Sequence, residues 1–132
     1  MPNISLECNF GTNDSDHEIL IISFDASNLN ERGMQQAVAG AVNQMSKSIQ
    51  IIENQKDNII RIRYLDKESL DVSLFDDNIL EATCRIIDTT MQIVSKQVSN
   101  SSQIEVEIQD LDSSLPSYMK DKITEVFINS IN

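Results

Sequence analysis

An acidic segment around the chain's one histidine contains residue types that bind metal ions. It contains four possible ligands: Asp14, Asp16, His17 and Glu18. A calcium-binding EF-hand loop that began at Asp14 would need glycine at its sixth position and a bidentate glutamate at its twelfth. The chain has Ile19 and Asp25 at these positions. Neither a second histidine nor a cysteine pair supports a transition-metal site, so we expect a solvated acidic turn and no bound metal.

The sequence contains few residues that could support nucleophilic catalysis. A serine or cysteine nucleophile needs a base to take its proton, and His17 lies in a polar loop. Cys8 and Cys84 have no CxxC or Cys/His spacing, so we expect two reduced thiols. Carboxylates near strand ends could act in pairs, but acids there more often cap turns. Because P-loop, GxGxxG and nucleophile-elbow motifs are absent, we predict that the chain is not an enzyme and uses no cofactor.

Length and charge limit the classes of partner. The 132 residues, 40% of them hydrophobic, suit one domain spanning residues 1–132. The formal net charge is −11 and the isoelectric point is about 4.3. Nucleic acids and anionic membranes favour basic proteins, so we expect neither as a partner. A signal peptide and a long apolar segment are not found at the sequence level, which predicts a cytoplasmic location.

Hydrophobic periodicity predicts the order of helices and strands. The predicted strands, some alternating and some continuously apolar, are 4–10, 19–24, 59–65, 70–75 and 104–108. A first amphipathic helix is predicted over 31–53 on the stripe Met34, Val38, Val42, Met45, Ile49 and Ile52. A capping-box pattern at Asn78 and Glu81 starts a second helix that extends to residue 100. A third follows a Ser/Pro start signal within 113–131.

From Ile19 this order is β-α-β-β-α-β, which a ferredoxin-like fold requires. We therefore predict an α+β, single-domain, two-layer sandwich with ferredoxin-like topology, an extra N-terminal strand and a C-terminal helix. In this arrangement one face of the sheet packs on the helices and the other carries Arg61, Arg63, Glu105 and Glu107. A three-layer α/β arrangement and a fold of the type found in small secretion chaperones are the alternatives.

Two predicted elements have more apolar surface than one contact can cover. The helix at 78–100 has a stripe at Leu80, Cys84, Ile87, Met91, Val94 and Val98, and a second stripe at Ile79, Ile86 and Ile93. The first stripe suits the sheet, and the second suits either another helix of the chain or a partner protein. The strand at 19–24 leaves apolar residues on the open side of the sheet. We expect the N-terminal strand or a second subunit, as in a homodimer, to cover them.

Carboxylates are predicted to gather at one edge of the sheet. The predicted topology brings together Asp14, Asp16, Glu18, Asp76, Asp77, Asp110 and Asp112. This acidic rim would attract a partner with a basic surface, and salt would screen the attraction. The sequence therefore favours a non-enzymatic acidic protein-binding module, as inhibitors, immunity proteins and secretion chaperones are. The partner would contact the rim and the stripe Ile79, Ile86 and Ile93. A small-molecule-binding regulatory domain is the alternative.

Overall fold

A computed structural model describes residues 1–10, 18–44, 49–54, 58–64, 77–98 and 103–131. In these residues the strands are β1 (Asn3–Phe10), β2 (Glu18–Ser27), β3 (Ile49–Asn54), β4 (Ile59–Tyr64) and β5 (Glu105–Leu111). The helices are α1 (Glu31–Val42), α2 (Asp77–Gln97) and α3 (Ser117–Asn129). The prediction of a mixed α+β fold is confirmed.

The described strands form one sheet in the order β3-β4-β2-β1-β5. β1 is antiparallel to β2 and parallel to β5, while β4 is antiparallel to both β2 and β3. In a ferredoxin-like sheet the first and last strands of the unit are neighbours, but here β1 lies between β2 and β5. The predicted strand order is therefore wrong. β1 and β2 are joined by a short connection, and strands close in sequence pair readily, so β1 occupies this position inside the sheet.

Helix α1 is shorter than predicted. Its start is set by Asn30, whose side chain accepts a hydrogen bond of 2.9 Å from the Arg32 amide. Its buried residues follow the predicted spacing as far as Ala41: Met34, Ala37, Val38 and Ala41. The helix ends at Val42, and β3 begins at Ile49. The prediction of a helix to residue 53 is wrong because the isoleucine-rich segment instead pairs with β4, where β-branched residues are favoured.

Most predicted strands have a counterpart among the described strands. The strands predicted at 4–10, 19–24, 59–65 and 104–108 correspond to β1, β2, β4 and β5. The strand predicted at 70–75 lies outside the described residues. Helix α2 begins at Asp77, one residue before the predicted capping box. Its Glu81 carboxylate contacts Arg85 at 3.5 Å.

The three helices described by the structure lie in one layer, with α2 between α1 and α3. The side chains of β1, β2 and β4 that point to this layer are fully or almost fully buried: Ile4, Leu6, Cys8, Leu20, Ile22, Phe24, Ile60 and Ile62. The α2 stripe predicted to meet the sheet is buried or half-buried and belongs to the same core. Burying each of these large side chains stabilises the fold by about 1.5–3 kcal/mol before chain entropy is counted.

Ile93, in the second stripe of α2, packs against Gly40 of α1. A Cβ built on Gly40 of α1 would lie 2.9 Å from the Ile93 Cδ1, and one built on Gly33 would lie 2.6 Å from the Gln97 Oε1. The Gln97 side-chain amide also donates a 3.0 Å hydrogen bond to the Gly33 carbonyl. Gly33 and Gly40 of α1 therefore allow the two helices to approach closely.

Candidate partner-binding site

The face of the sheet opposite the three described helices is covered by none of them. Residues that pair across neighbouring strands point to the same side of the sheet. The pairing register therefore shows which residues of β5, β1 and β2 lie on the face opposite the helices. Glu105 pairs with Asn3, which pairs with Ser27. The next rows are Glu107, Ser5 and Asp25, and then Asp110, Glu7 and Ser23. Polar residues thus occupy three adjacent strands, β5, β1 and β2.

Five carboxylates lie on this part of the sheet, and we call them the acidic face: Glu7, Asp25, Glu105, Glu107 and Asp110. All but Glu7, which is half-buried, are exposed. Strands β1, β2 and β5 contain no lysine, arginine or histidine. Asp110 lies directly opposite Glu7, a like-charge pair that destabilises a sheet when nothing compensates. A cationic partner would relieve this repulsion.

The neutral residues of the acidic face can donate or accept hydrogen bonds. The Ser5 hydroxyl donates to the Gln109 side-chain oxygen at 3.3 Å, and the Asn9 amide donates to the Glu7 carboxylate at 3.2 Å. Ser23 and Ser27 add further hydroxyl groups on β2. This combination suits lysine and arginine side chains, which donate several hydrogen bonds and accept none.

Two apolar residues, Ile21 on β2 and Ile59 on β4, lie beside the acidic face. Both are half-buried and belong to rows on the open side of the sheet. Leu20, Ile22 and Phe24 point the other way and are buried beneath the helices. The expectation that the N-terminal strand covers the apolar strip of β2 is wrong, since β1 pairs beside β2 and does not lie across it.

The predicted acidic rim is described only in part. Asp14, Asp16 and Asp76 lie outside the described residues. Glu18 begins β2, and its backbone lies opposite that of Arg63 in the register of β2 with β4. Asp77 is exposed at the start of α2, where its carboxylate accepts a 3.2 Å hydrogen bond from the Tyr118 hydroxyl.

The other two rim residues have different environments. Asp110 belongs to the acidic face, while Asp112 holds a turn. The Asp112 carboxylate accepts 2.9 Å hydrogen bonds from the Phe10 and Ser114 amides. Partial burial alone would raise the pKa of Asp112, but these hydrogen bonds and the charge of Lys120 lower it below its ordinary value. Asp112 is therefore a structural residue.

The apolar residues predicted to contact a partner are inside the chain. Ile79 and Ile86 are fully buried, and Ile93 is half-buried against the core. The interpretation that both stripes of α2 are intramolecular core agrees with this burial. As placed here, these residues offer little surface to another protein.

An open groove lies between α2 and α3. It has a volume of about 390 Å³, and its lining includes Cys84, Arg85, Asp88, Glu125 and Val126. The groove also reaches Asn129 and Ser130 at the end of α3. Sequence periodicity could not reveal it, because the groove depends on the separation of the two helices.

The two thiols are poorly suited to nucleophilic chemistry. Burial raises the pKa of Cys8 far above its ordinary value, and the nearby Cys84 and Glu7 raise it further. Burial also raises the pKa of Cys84, although Lys122 partly opposes this effect. Both cysteines are free. Because the thiolate is the reactive form, neither sulfur is activated in this environment.

The sequence predicts three residues of the acidic face: Glu105 and Glu107 on the open side of the sheet and Asp110 in the rim. Glu7 and Asp25 are not among the predicted site residues. Both residues alternate with buried apolar residues in β1 and β2, so their exposure could have been inferred from the sequence. Their proximity to β5 could not, because it depends on β1 lying between β2 and β5.

Known proteins do not identify a family for this chain. No protein-family model matches the chain, and neither the curated proteins nor the solved structures contain a significant match. Among the described residues, no group of three or more His, Cys, Asp or Glu side chains is placed to hold a metal ion. None of the described helices is both long and apolar enough to span a bilayer.

Proposed function

We propose that the chain is a non-enzymatic, acidic protein-binding module that holds a basic protein partner on the acidic face, as an inhibitor, immunity protein or chaperone does. One observation carries the proposal: carboxylates on three adjacent strands share a face that no described helix covers, and Glu7 and Asp110 lie directly opposite each other. A cationic surface would neutralise this repulsion, and Ile21 and Ile59 would supply apolar contact beside it.

We also infer that the fold is a ferredoxin-like β-α-β-β-α-β unit, from β2 to β5, enlarged by β1. The pairing directions make β2 parallel to β3, and β4 parallel to β5, as two such crossovers require. The inserted strand has a functional consequence. It carries Glu7 between Asp110 and Ser23 and so joins the polar residues of β5 to those of β2.

Two triple variants with the same change in charge test the proposal. The first neutralises the acidic face with Asp25→Asn, Glu105→Gln and Glu107→Gln. The control neutralises exposed acids on the helices that lie outside the groove between α2 and α3, with Glu31→Gln, Glu81→Gln and Asp121→Asn. Tagged proteins are used to capture partners from an extract of the cells that produce the chain, and bound proteins are identified by mass spectrometry.

We expect the unmodified chain and the helix variant to recover the same basic protein, and the acidic-face variant to bind it roughly tenfold more weakly. Raising the salt concentration should weaken binding of the unmodified chain more than that of the acidic-face variant. Salt screens charge attraction, and the unmodified chain has three more carboxylates on this face. Equal loss of the partner in both variants would show that net charge, and not this face, is responsible.

A small-molecule-binding regulatory domain is the second candidate, and the groove between α2 and α3 favours it. Its volume is in the range of ligand pockets, and it combines the apolar Val126 with the charges of Arg85, Asp88 and Glu125. Native mass spectrometry of the purified chain would detect a co-purifying metabolite. This function predicts that Val126→Trp, which would fill the groove, removes the metabolite while Ile128→Trp, on the exposed side of α3, leaves it bound.

A further inference from the structure

Strand β5 forms an edge of the described sheet, and no described strand pairs with its outer side. The Glu105 amide donates to the Pro2 carbonyl at 2.8 Å, so this amide points toward β1. Successive residues of a strand direct their amides to opposite sides. The amides of Val106 and Ile108 therefore point away from β1, to the side where the described sheet ends.

The two faces of β5 differ in what a neighbouring strand would meet. On the open side, Glu105, Glu107 and Asp110 are exposed. On the helix side, Val106, Ile108 and Leu111 are only half-buried against the core. Their paired residues on β1, Ile4, Leu6 and Cys8, are fully buried. The core is thus incompletely covered at this edge.

We propose that β5 takes up an extended segment of the basic partner as an additional strand, in which lysine or arginine alternates with apolar residues. The basic side chains would lie beside Glu105 and Glu107, and the apolar ones would cover Val106 and Ile108. Backbone hydrogen bonds to the outer amides would supply affinity, and the alternation would supply specificity. This inference rests on the proposed function, since it specifies how the acidic face is engaged.

A second copy of this chain is a poor occupant of the same edge. If two β5 strands paired, the alternating acids of each would face the acids of the other, and like charges on paired strands repel. Acidic residues on edge strands are also a common protection against aggregation. The same carboxylates therefore exclude self-pairing while favouring a basic strand.

The probe is a short capped peptide that alternates lysine and valine. A block peptide of the same composition, with all lysines before all valines, is the matched control. Amide hydrogen exchange in the full chain is measured by NMR with each peptide. We expect the alternating peptide to slow exchange at Val106 and Ile108 by about tenfold or more, and the block peptide to leave exchange there unchanged.

Methylated peptides separate strand addition from simple charge attraction. In an extended peptide successive amides point to opposite sides, so the amides that point toward β5 belong either to all the lysines or to all the valines. Strand addition therefore predicts that N-methylation of one residue type abolishes binding, whereas N-methylation of the other type preserves it. The variant Glu105→Gln with Glu107→Gln should weaken binding of the alternating peptide, and the control Glu31→Gln with Asp121→Asn should not.

The outcomes distinguish this inference from the proposed function. If both peptides bind with similar affinity, perturb Glu7 and Asp25, and leave exchange at Val106 and Ile108 unchanged, strand addition is wrong while a basic-partner face is still supported. Failure of the alternating peptide to bind also overturns strand addition. The proposed function is overturned independently, when the acidic-face triple variant captures its partner as well as the unmodified chain does.

Discussion

At the residue scale, Asp112 connects the ends of β1 and β5 to the turn before α3. Its two carboxylate oxygens each accept a backbone hydrogen bond, from Phe10 and from Ser114. The sequence predicts Asp112 as part of an acidic rim, although acids after strands also act as turn and cap residues. The contacts favour the structural role, because a carboxylate occupied by two amides is held within the fold.

We expect Asp112→Asn to lower the free energy of unfolding at neutral pH by about 1 kcal/mol, since a charged acceptor is lost. The folded-state pKa of Asp112 lies below its ordinary value of 3.8. Its contribution to stability is therefore complete above that ordinary value and is lost as the pH falls through the lowered pKa. Urea unfolding at several pH values should show the difference from Asp112→Asn shrinking in acid. Asp121→Asn, at an exposed position, should change stability little at any pH.

Two buried threonines of α2 differ in their hydrogen bonding. The Thr83 hydroxyl donates to the Ile79 carbonyl at 2.8 Å, whereas the Thr90 hydroxyl has no hydrogen-bond partner among the described residues. Both side chains are fully buried. Because an unpaired buried hydroxyl is unfavourable, we expect Thr90→Val to raise the free energy of unfolding by about 1 kcal/mol and Thr83→Val to raise it less or lower it. Urea unfolding of both variants measures this, and equal effects would contradict the distinction.

At the element scale, the contact between α1 and α2 depends on the absence of a side chain at Gly40. Alanine at this position would favour the helix by about 1 kcal/mol, but its Cβ would lie 2.9 Å from the Ile93 Cδ1. The Ile93 side chain is half-buried and can move at a cost. We therefore expect Gly40→Ala alone to change the free energy of unfolding little.

Ile93→Val removes the Cδ1 methyl group that Gly40→Ala would displace. In the Ile93→Val background, Gly40→Ala should therefore stabilise the chain by about 0.5–1 kcal/mol more than it does in the unmodified chain. Urea unfolding of the four proteins of this double-mutant cycle gives the coupling energy. Additive effects would show that the helices can separate slightly without cost and that Gly40 is not needed for their approach.

The boundary between α1 and β3 shows where periodicity fails as a predictor of elements. Met34 and Val38 follow helical spacing and are buried in α1, and Ile49 and Ile52 continue the same spacing. The latter two nevertheless belong to β3. A short apolar segment fits both periods, so its pairing with β4 decides its conformation, and the sequence contains no local signal of that pairing.

At the scale of the whole molecule, the charge is strongly unbalanced. The formal net charge is −11, and one ion pair, Arg85 with Glu81, is found among the described residues. Repulsion between carboxylates on the acidic face should therefore oppose folding in dilute buffer. Salt screens exposed charges, so added salt should stabilise the chain.

We expect the free energy of unfolding to rise by roughly 1 kcal/mol between very low ionic strength and physiological salt, as repulsion is screened. The triple variant Asp25→Asn, Glu105→Gln and Glu107→Gln should be more stable in dilute buffer and should depend less on salt. Urea titrations at several sodium chloride concentrations measure both effects. A fall in stability with salt would mean that attractive ion pairs outweigh the repulsion.

Local sequence patterns were enough to identify the buried residues of most elements, the position of most described strands and helices, and the acidic character of the surface. Alternation and helical spacing are local properties, so Glu105 and Glu107 could be placed opposite Val106 and Ile108 without any knowledge of the fold. The position of β1 between β2 and β5, and the packing of Ile93 of α2 against Gly40 of α1, emerge only in the folded chain. Both depend on which distant segments pair, because the free energy of a strand or helix contact belongs to two surfaces at once. For that reason the acidic face, which combines residues of three strands, became visible only in the folded chain.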